Sequence, residues 1–278
     1  MKPRDFTYHR AESLEAALAL MADDDAMALA GGQSLMPVMN FRLSSPEALV
    51  DLNGLTSLAG VHYEDRHLWI GAMTRYADLE ASAEVAQHAP LIAMALPHIA
   101  HPAIRNRGTI GGSCALADPA AEIPALLLAL DAKIHLQSAT GARVVAADDF
   151  FKGLYETARA DDELVVAIQI PVQEAGQRHG FYEVARRHGD YAMVGCAIVA
   201  ASDLSKVRVA LFAISDRPVR AKGAETALAV GPGEDPDVAS AIAALGDLDF
   251  VGDMNAGADT KRHLAGVALR RAWADLMA

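Results

Sequence analysis

Two glycine pairs are the residues whose type and spacing could do chemistry in this chain. Gly31-Gly32 lies in LAGGQSLMP, from Leu29 to Pro37, and Gly111-Gly112 lies in RNRGTIGGSCALADPAAE, from Arg105 to Glu122. Glycine reaches positive φ without a steric penalty and lets another body approach the main chain closely. Consecutive N–H groups in such a turn form a concave nest for an anion, and a following helix adds its partial positive end. One such loop fits a phosphate. Two of them, each read as leaving a strand and passing through Gly-Gly to a Ser, fit a pyrophosphate gripped from both sides. A glycine pair taken alone is more often a plain turn, and the two pairs together bring the readings level. The sequence has no G-x-G-x-x-G and no G-x-x-x-x-G-K-[ST], which disfavours the single-fingerprint dinucleotide fold and a nucleoside triphosphatase.

Other groups near these loops have plainer readings. Asp118 and Glu122 are four apart with Pro119 between them, a spacing that suits an acid/base pair but also an N-cap and a first-turn carboxylate. His98 and His101 are flanked by Pro97 and Pro102 and have no Glu or Cys partner nearby, so a metal site is disfavoured. GGSCA, Gly111–Ala115, is one residue away from a G-x-S-x-G nucleophile elbow, but RNRGTI before it makes a poor strand. Cys114 reads as a small buried hydrophobe rather than a reactive thiol. Arg105, Arg107, Arg186 and Arg187 are the positive clusters near the motifs, available to phosphate, a partner or solvent.

The elements that must position these groups follow from periodicity. Strands are expected at 6–9, 26–30, 48–52, 67–72 and 164–170, and helices at 12–22, 76–82, 90–99 and 123–130. A hairpin is expected from 132–137 and 143–147 around SATG, with Gly141 in a turn needing positive φ. QEAGQRHG, Gln173–Gly180, reads as a linker. Beyond it, 181–186, 197–201 and 207–214 read as three strands of a meander. VGPGEDPD reads as a loop, and 260–277 as a closing helix with Ala265, Leu269, Ala272, Trp273 and Leu276 on one face. Strands and helices mix without regular βαβ alternation, so the class is α+β.

Composition bounds the partners. The chain has 278 residues, a formal net charge of −12 and no basic block, which argues against nucleic acid as the main partner. No signal peptide and no membrane span is visible, and a cytoplasmic location is expected. Its 2 cysteines cannot build a disulfide framework or a Cys-rich metal site. An iron–sulfur cluster working beside this protein would belong to another chain.

Three stretches together carry a family resemblance: AGGQSLMPVMNFRL (Ala30–Leu43), HPAIRNRGTIGGSCALADPAAEIPALLLAL (His101–Leu130) and ARRHGDYAM (Ala185–Met193), with KRHLAGVALRRA near the C-terminus. The chain resembles the FAD-binding medium subunit of molybdenum hydroxylases, the family of carbon monoxide dehydrogenase and xanthine dehydrogenase. The resemblance implies an FAD-binding fold of the vanillyl-alcohol-oxidase (PCMH) type. Its parts would be an N-terminal subdomain at 1–55, a middle subdomain at 56–172, and a C-terminal domain at 173–278 with a three-stranded sheet and helices.

Carried over residue by residue, the FAD pyrophosphate loops are Ala30, Gly31, Gly32, Gln33, Ser34 and Leu35, and Thr109, Ile110, Gly111, Gly112 and Ser113. Asp118 falls where the family bonds ribityl or ring-side groups, Leu164 where the flavin pocket is lined, and Tyr191 where a side chain lies against the isoalloxazine ring. The implied role is electron transfer with FAD as cofactor. Electrons would come from the [2Fe–2S] clusters of a small subunit, in a heterotrimer with a large molybdenum-cofactor subunit, and pass to an external acceptor. The alternative is a stand-alone FAD oxidoreductase of the same superfamily, although the chain leaves little room for its own substrate domain. A third reading is a non-catalytic module that binds a nucleotide-like anion. The sequence departs from the family pattern at three places. Leu116 stands where many relatives have His, Met27 where Lys or Arg is common, and Tyr182 where xanthine-oxidising enzymes place a Lys. The last departure argues against an NAD-reducing site of the xanthine dehydrogenase kind.

Overall fold

A computed structural model describes residues 2–22, 25–172, 176–231 and 234–278. The first sheet is small and parallel. Strands β1 (Thr7–Arg10) and β2 (Ala26–Leu29) flank β3 (Ala48–Asp51), with Thr7 and Ala26 both opposite Ala48. Helix α1 (Leu14–Met21) starts at Ser13, whose hydroxyl accepts from the Ala16 N–H at 3.1 Å. It buries Ala17, Leu18 and Met21 against Val50, Leu52, Leu55 and Leu58. Helix α2 (Leu35–Asn40) follows β2 directly after the first glycine loop.

The second sheet is antiparallel, in the order β4 (Val61–Glu64), β5 (His67–Gly71), β10 (Leu164–Pro171), β6 (Lys133–Ser138) and β7 (Gly141–Ala146). Alternate residues Leu68, Ile70, Ile134, Leu136 and Ile168 are fully buried, the period-two pattern of a one-sided core. Between β5 and β6 runs a helical layer: α3 (Tyr76–Ala81), α4 (Ala83–His88), α5 (Pro90–Ala95), α6 (Pro102–Arg105), α7 (Ile110–Leu116) and α8 (Glu122–Ala129). A ribbon of β8 (Phe151–Gly153) and β9 (Glu156–Thr157) follows β7. Gly141 does not take the positive φ expected of it. It opens β7, and the hairpin turns at Ala139 and Thr140, where the Ser138 hydroxyl accepts from the Thr140 N–H at 3.2 Å.

The third sheet runs β11 (Arg178–Ala185), β12 (Ala192–Ala200), β13 (Val207–Phe212) and β14 (Val219–Arg220), all antiparallel. Its three long strands are those expected, and β14 adds a two-residue fourth. The linker expectation is corrected in part. Residues 173–175 lie outside the described residues, but Arg178–Gly180 belong to β11, an edge strand whose polar residues pair with Ala200, Val199 and Ile198. The C-terminal helix Ala258–Met277 buries Ala265, Leu269, Ala272, Trp273 and Leu276 on this sheet, the face read from the sequence. The whole of α8 is buried. It shares one core with strand residues of the second sheet (Leu68, Ile134) and of the third (Ala197, Phe212), so the two sheets are welded through a single apolar helix.

Candidate functional site

The first glycine loop connects β2 to α2. Gly32 has φ +71°, which a side chain would resist. The N–H groups of Gly32, Gln33, Ser34 and Leu35 find no intramolecular acceptor among the described residues, and the Ser34 side chain does not cap α2. A run of unmatched donors beside open space is a place for an acceptor from outside the chain. The space is a cavity of about 360 Å³ lined by Leu29, Gly31, Gly32, Gln33, Met36, Pro37, Asn40 and Arg107. The Gln33 amide donates to the Gly31 carbonyl at 3.1 Å and tightens the turn.

The second loop is built differently. No strand precedes it; α6 does, and the glycine pair lies inside the first turn of α7. Thr109 caps that helix, its hydroxyl accepting from the Gly112 N–H at 3.2 Å. The Ile110 and Gly111 N–H groups donate to the Thr74 and Ala72 carbonyls at 3.2 and 2.9 Å, and that of Ser113 to the Thr109 carbonyl at 3.1 Å. All four amides are engaged within the chain, so the expected nest of free N–H groups exists at the first loop and not at the second. The second pair works by close approach. A Cβ on Gly111 would lie 2.4 Å from the Ala72 Cβ.

The two loops meet. A Cβ on Gly31 would lie 2.3 Å from the Arg107 carbonyl oxygen and 2.9 Å from the Gly108 Cα, and one on Gly112 would lie 3.7 Å from the Ala30 Cβ. Leu164 is buried in the core that supports the first loop, with Ala30 packed against the same cluster. It therefore underlies the loop rather than facing open space.

Asp118 and Tyr191 also come together, but not as a helix cap and a loose aromatic. Helix α8 begins at Glu122 behind Ala121, and Asp118 closes the turn before it, accepting from the Ala120 N–H at 2.9 Å. This replaces the N-cap expected for Asp118: the main chain at Ala117, with φ 52°, ends α7 and turns back before α8 can start. Tyr155 and Tyr191 lie beside Asp118 and interact with its carboxylate, while both residues stay more than half exposed. Burial raises the Asp118 carboxyl, and the Ala120 N–H and the two tyrosines partly offset it. The Tyr191 hydroxyl is pushed up to about 12, by burial first and then by the Asp118 charge. Nearby Glu122 is raised to about 8 by burial and by Glu183. The buried Tyr76 hydroxyl is raised by burial and feels Ser113, Glu122 and Tyr191, so it lies between the second loop and the carboxylate pocket.

The remaining candidates separate cleanly. Arg105 is buried in an ion pair with Glu80 at 3.1 Å and bonds the Ile99 and Ala100 carbonyls, so it is structural. Arg107 reaches the cavity. Arg186 and Arg187 are exposed. His98 faces Glu183 at 3.5 Å, and no cluster of three or more His, Cys, Asp or Glu able to hold a metal exists among the described residues. Cys114 is buried, its thiol raised to about 12, as an inert core residue should be. Sequence reasoning missed Tyr155, Asn53 and Arg75. They join the site only through folding, and no local pattern marks them.

A ligand with an anionic linker and a flat ring is what this arrangement suits: free amides beside a cavity that Arg107 helps line for the linker, and exposed tyrosines for the ring. Residues 4–173 match the FAD binding domain in molybdopterin dehydrogenase, and residues 179–276 match the CO dehydrogenase flavoprotein C-terminal domain. The chain is 40% identical to the 6-hydroxypseudooxynicotine dehydrogenase complex subunit alpha of Paenarthrobacter nicotinovorans, over 98% of this chain and 94% of that one. It is 37% identical to the carbon monoxide dehydrogenase medium chain of Hydrogenophaga pseudoflava, over 98% and 97%. The solved carbon monoxide dehydrogenase from Hydrogenophaga pseudoflava superposes with a TM-score of 0.96 at 38% identity, covering 100% of this chain and 99% of that one. The chain therefore belongs to the FAD-binding medium subunits of molybdenum hydroxylases. It is an oxidoreductase subunit and its cofactor is FAD. No helix among the described residues is long and apolar enough to cross a membrane.

Proposed function

We propose that this chain is the electron-relay subunit of a heterotrimer, standing between the [2Fe–2S] clusters of a small subunit and an external acceptor, while a large molybdenum-cofactor subunit oxidises the substrate. FAD supplies the chemistry that this position needs, since it accepts electrons singly and discharges them in pairs. The observation that carries the reading is the run of unmatched amides from Gly32 to Leu35, beside an open cavity lined by Gly31, Gly32, Gln33 and Arg107. Those amides and Arg107 would hold the pyrophosphate. Gly31, Gly111 and Gly112 would let the loops close on it, and Thr109, Ile110 and Ser113 would fix the second loop's main chain. Asp118 would hold the Tyr191 and Tyr155 rings at the flavin edge. Tyr191 would shield one ring face and exclude water from it. Leu164 supports the first loop from beneath. Units at 1–55, 56–172 and 173–278 suit this division of labour, with one main sheet in each and the two-stranded β8–β9 ribbon also in the middle one.

The test is an absorption spectrum of the purified chain with release and identification of its flavin, together with isolation of the native protein from its host. Oxidised-flavin bands, FAD at close to one per chain and co-isolated large and small subunits support the proposal. A native protein that is colourless and takes up no added FAD defeats it. Recovery of the chain alone with FAD and substrate turnover would favour a stand-alone oxidoreductase instead.

A further inference from the structure

The two loops touch, but contact alone does not fix their spacing. One side chain among the described residues hydrogen-bonds toward both. Arg75 precedes α3 and is half-buried. Its Nη1 donates to the Arg107 carbonyl, in the lead-in to the second loop, and its Nη2 donates to Oδ1 of Asn53. Asn53 in turn donates through Nδ2 to the Ala30 carbonyl, in the first loop, at 2.9 Å. Asn53 is itself held. Its backbone N–H donates to Oδ1 of Asp51 at 2.8 Å, and the Tyr8 hydroxyl donates to Oδ2 of that buried carboxylate. The main chain of Arg75 is bridged to Thr109, and the Tyr76 N–H donates to the Gly108 carbonyl at 3.1 Å. Two side chains thus span the path from Ala30 to Arg107.

We infer that Arg75 is a positioning residue for the cofactor, its planar fork setting the gap between Ala30 and Arg107 and so the spacing of the donors around the pyrophosphate. The inference rests on the FAD reading above. The chemistry favours a strut over a simple cation. The two hydrogen bonds go to a carbonyl and an amide oxygen rather than to a carboxylate, and a guanidinium presents two donors in a fixed plane where an ammonium does not. A pair of side chains that links one loop to the other removes their relative freedom before the cofactor arrives, which lowers the ordering cost of binding.

The experiment titrates FAD into the deflavinated full chain and compares wild type with Arg75→Lys, Arg75→Met, Asn53→Ala and the Arg75→Met/Asn53→Ala double variant. Each single change is expected to weaken FAD binding about 10- to 100-fold, the range for losing hydrogen bonds from a charged donor. Arg75→Lys should lose as much as Arg75→Met. The double variant should bind no worse than the weaker single variant, because both residues act through one path. The melting temperature of the FAD-free chain should change little. Wild-type affinity in Arg75→Lys, additive losses in the double variant, or losses that merely follow the FAD-free melting temperature would each overturn the inference. If Arg75→Met does not fold, Arg75→Lys and Asn53→Ala decide it. A wild-type chain that binds no FAD sinks the flavin reading itself, an outcome distinct from a wild type that binds and an Arg75→Lys that binds equally.

Discussion

Adding one methyl group at Gly31 is the sharpest perturbation of the site. In Gly31→Ala the new Cβ would sit 2.3 Å from the Arg107 carbonyl oxygen and 2.9 Å from the Gly108 Cα, with nothing but main chain in the way. No rotamer change relieves that overlap. The loops must part by at least about 0.7 Å to reach the 3.0 Å floor of real Cβ contacts, and overpacking of this kind costs about 1–3 kcal/mol. If the strain falls on the closed, cofactor-holding arrangement, it corresponds to about 5- to 150-fold in FAD affinity. The expected outcome is a chain that folds without FAD, is purified with substoichiometric flavin, and rebinds FAD at least about fivefold more weakly than wild type. Flavin-to-protein absorbance ratios and fluorescence titration of the deflavinated chain measure this. Gly141→Ala is the control, because nothing lies within 4 Å of its Cβ and its φ is not positive. A Gly31→Ala chain with full flavin content and unchanged affinity would refute the claim that contact between the loops shapes the site.

Glu122→Gln should change how stability depends on pH. The folded pKa of Glu122, about 8, lies above its ordinary value of 4.5, so the native state holds the proton more tightly. This stabilisation is fully present below pH 4.5 and is lost as pH rises toward 8. Glu122→Gln should flatten the decline, measured by urea unfolding between pH 6.5 and 8. That window avoids His179, whose pKa is lowered by burial to about 4 and whose contribution is lost in the opposite direction, as pH falls from 6.5. An unchanged slope would mean that Glu122 is ionised in the native protein. Lys261→Met removes a buried ammonium that donates to the Ala213 carbonyl at 2.6 Å and pairs with Asp253 at 2.8 Å. It should cost roughly 2 kcal/mol of unfolding free energy and leave FAD content unchanged, since Lys261 touches neither glycine loop. Lost flavin with intact stability would contradict that separation.

Much of the fold was legible because local pattern and burial agree. The long C-terminal helix shows its stripe in the sequence, and α8 reads as buried because each residue from Glu122 to Ala129 is. Helix α7 was hidden because Gly111 and Gly112 lower helix propensity. Tertiary contact overrides this: the segment is pinned to Ala72 and Thr74, which lie far from it in sequence. Asp118-Pro119 looked like a cap for the same kind of reason. The residues suit a helix start, but the left-handed Ala117 places them in the preceding turn. The strut through Arg75 and Asn53 links positions 22 apart, and Arg75 reaches Arg107 across 32 residues. No period or spacing announces such a link. Polar Arg178–Gly180 resembled a linker because an edge strand needs no apolar run to pair.

The two glycine pairs look alike in sequence and act differently in the fold. The first leaves its amides from Gly32 to Leu35 unmatched, so its donors stay available to an acceptor from outside the chain. The second has every amide from Ile110 to Ser113 bonded internally, so its glycines serve packing, letting α7 approach Ala72 and face Ala30. Donors that face a ligand must hold their direction before it arrives. A loop whose own amides are unmatched is held by few bonds, and leaning on a loop whose amides are all bonded supplies what it lacks. The Arg107 carbonyl is where these requirements meet. It limits Gly31, accepts from Arg75, and belongs to a residue that lines the cavity. Substitutions that move this carbonyl should therefore disturb cofactor binding more than those that remove any single donor from the first loop.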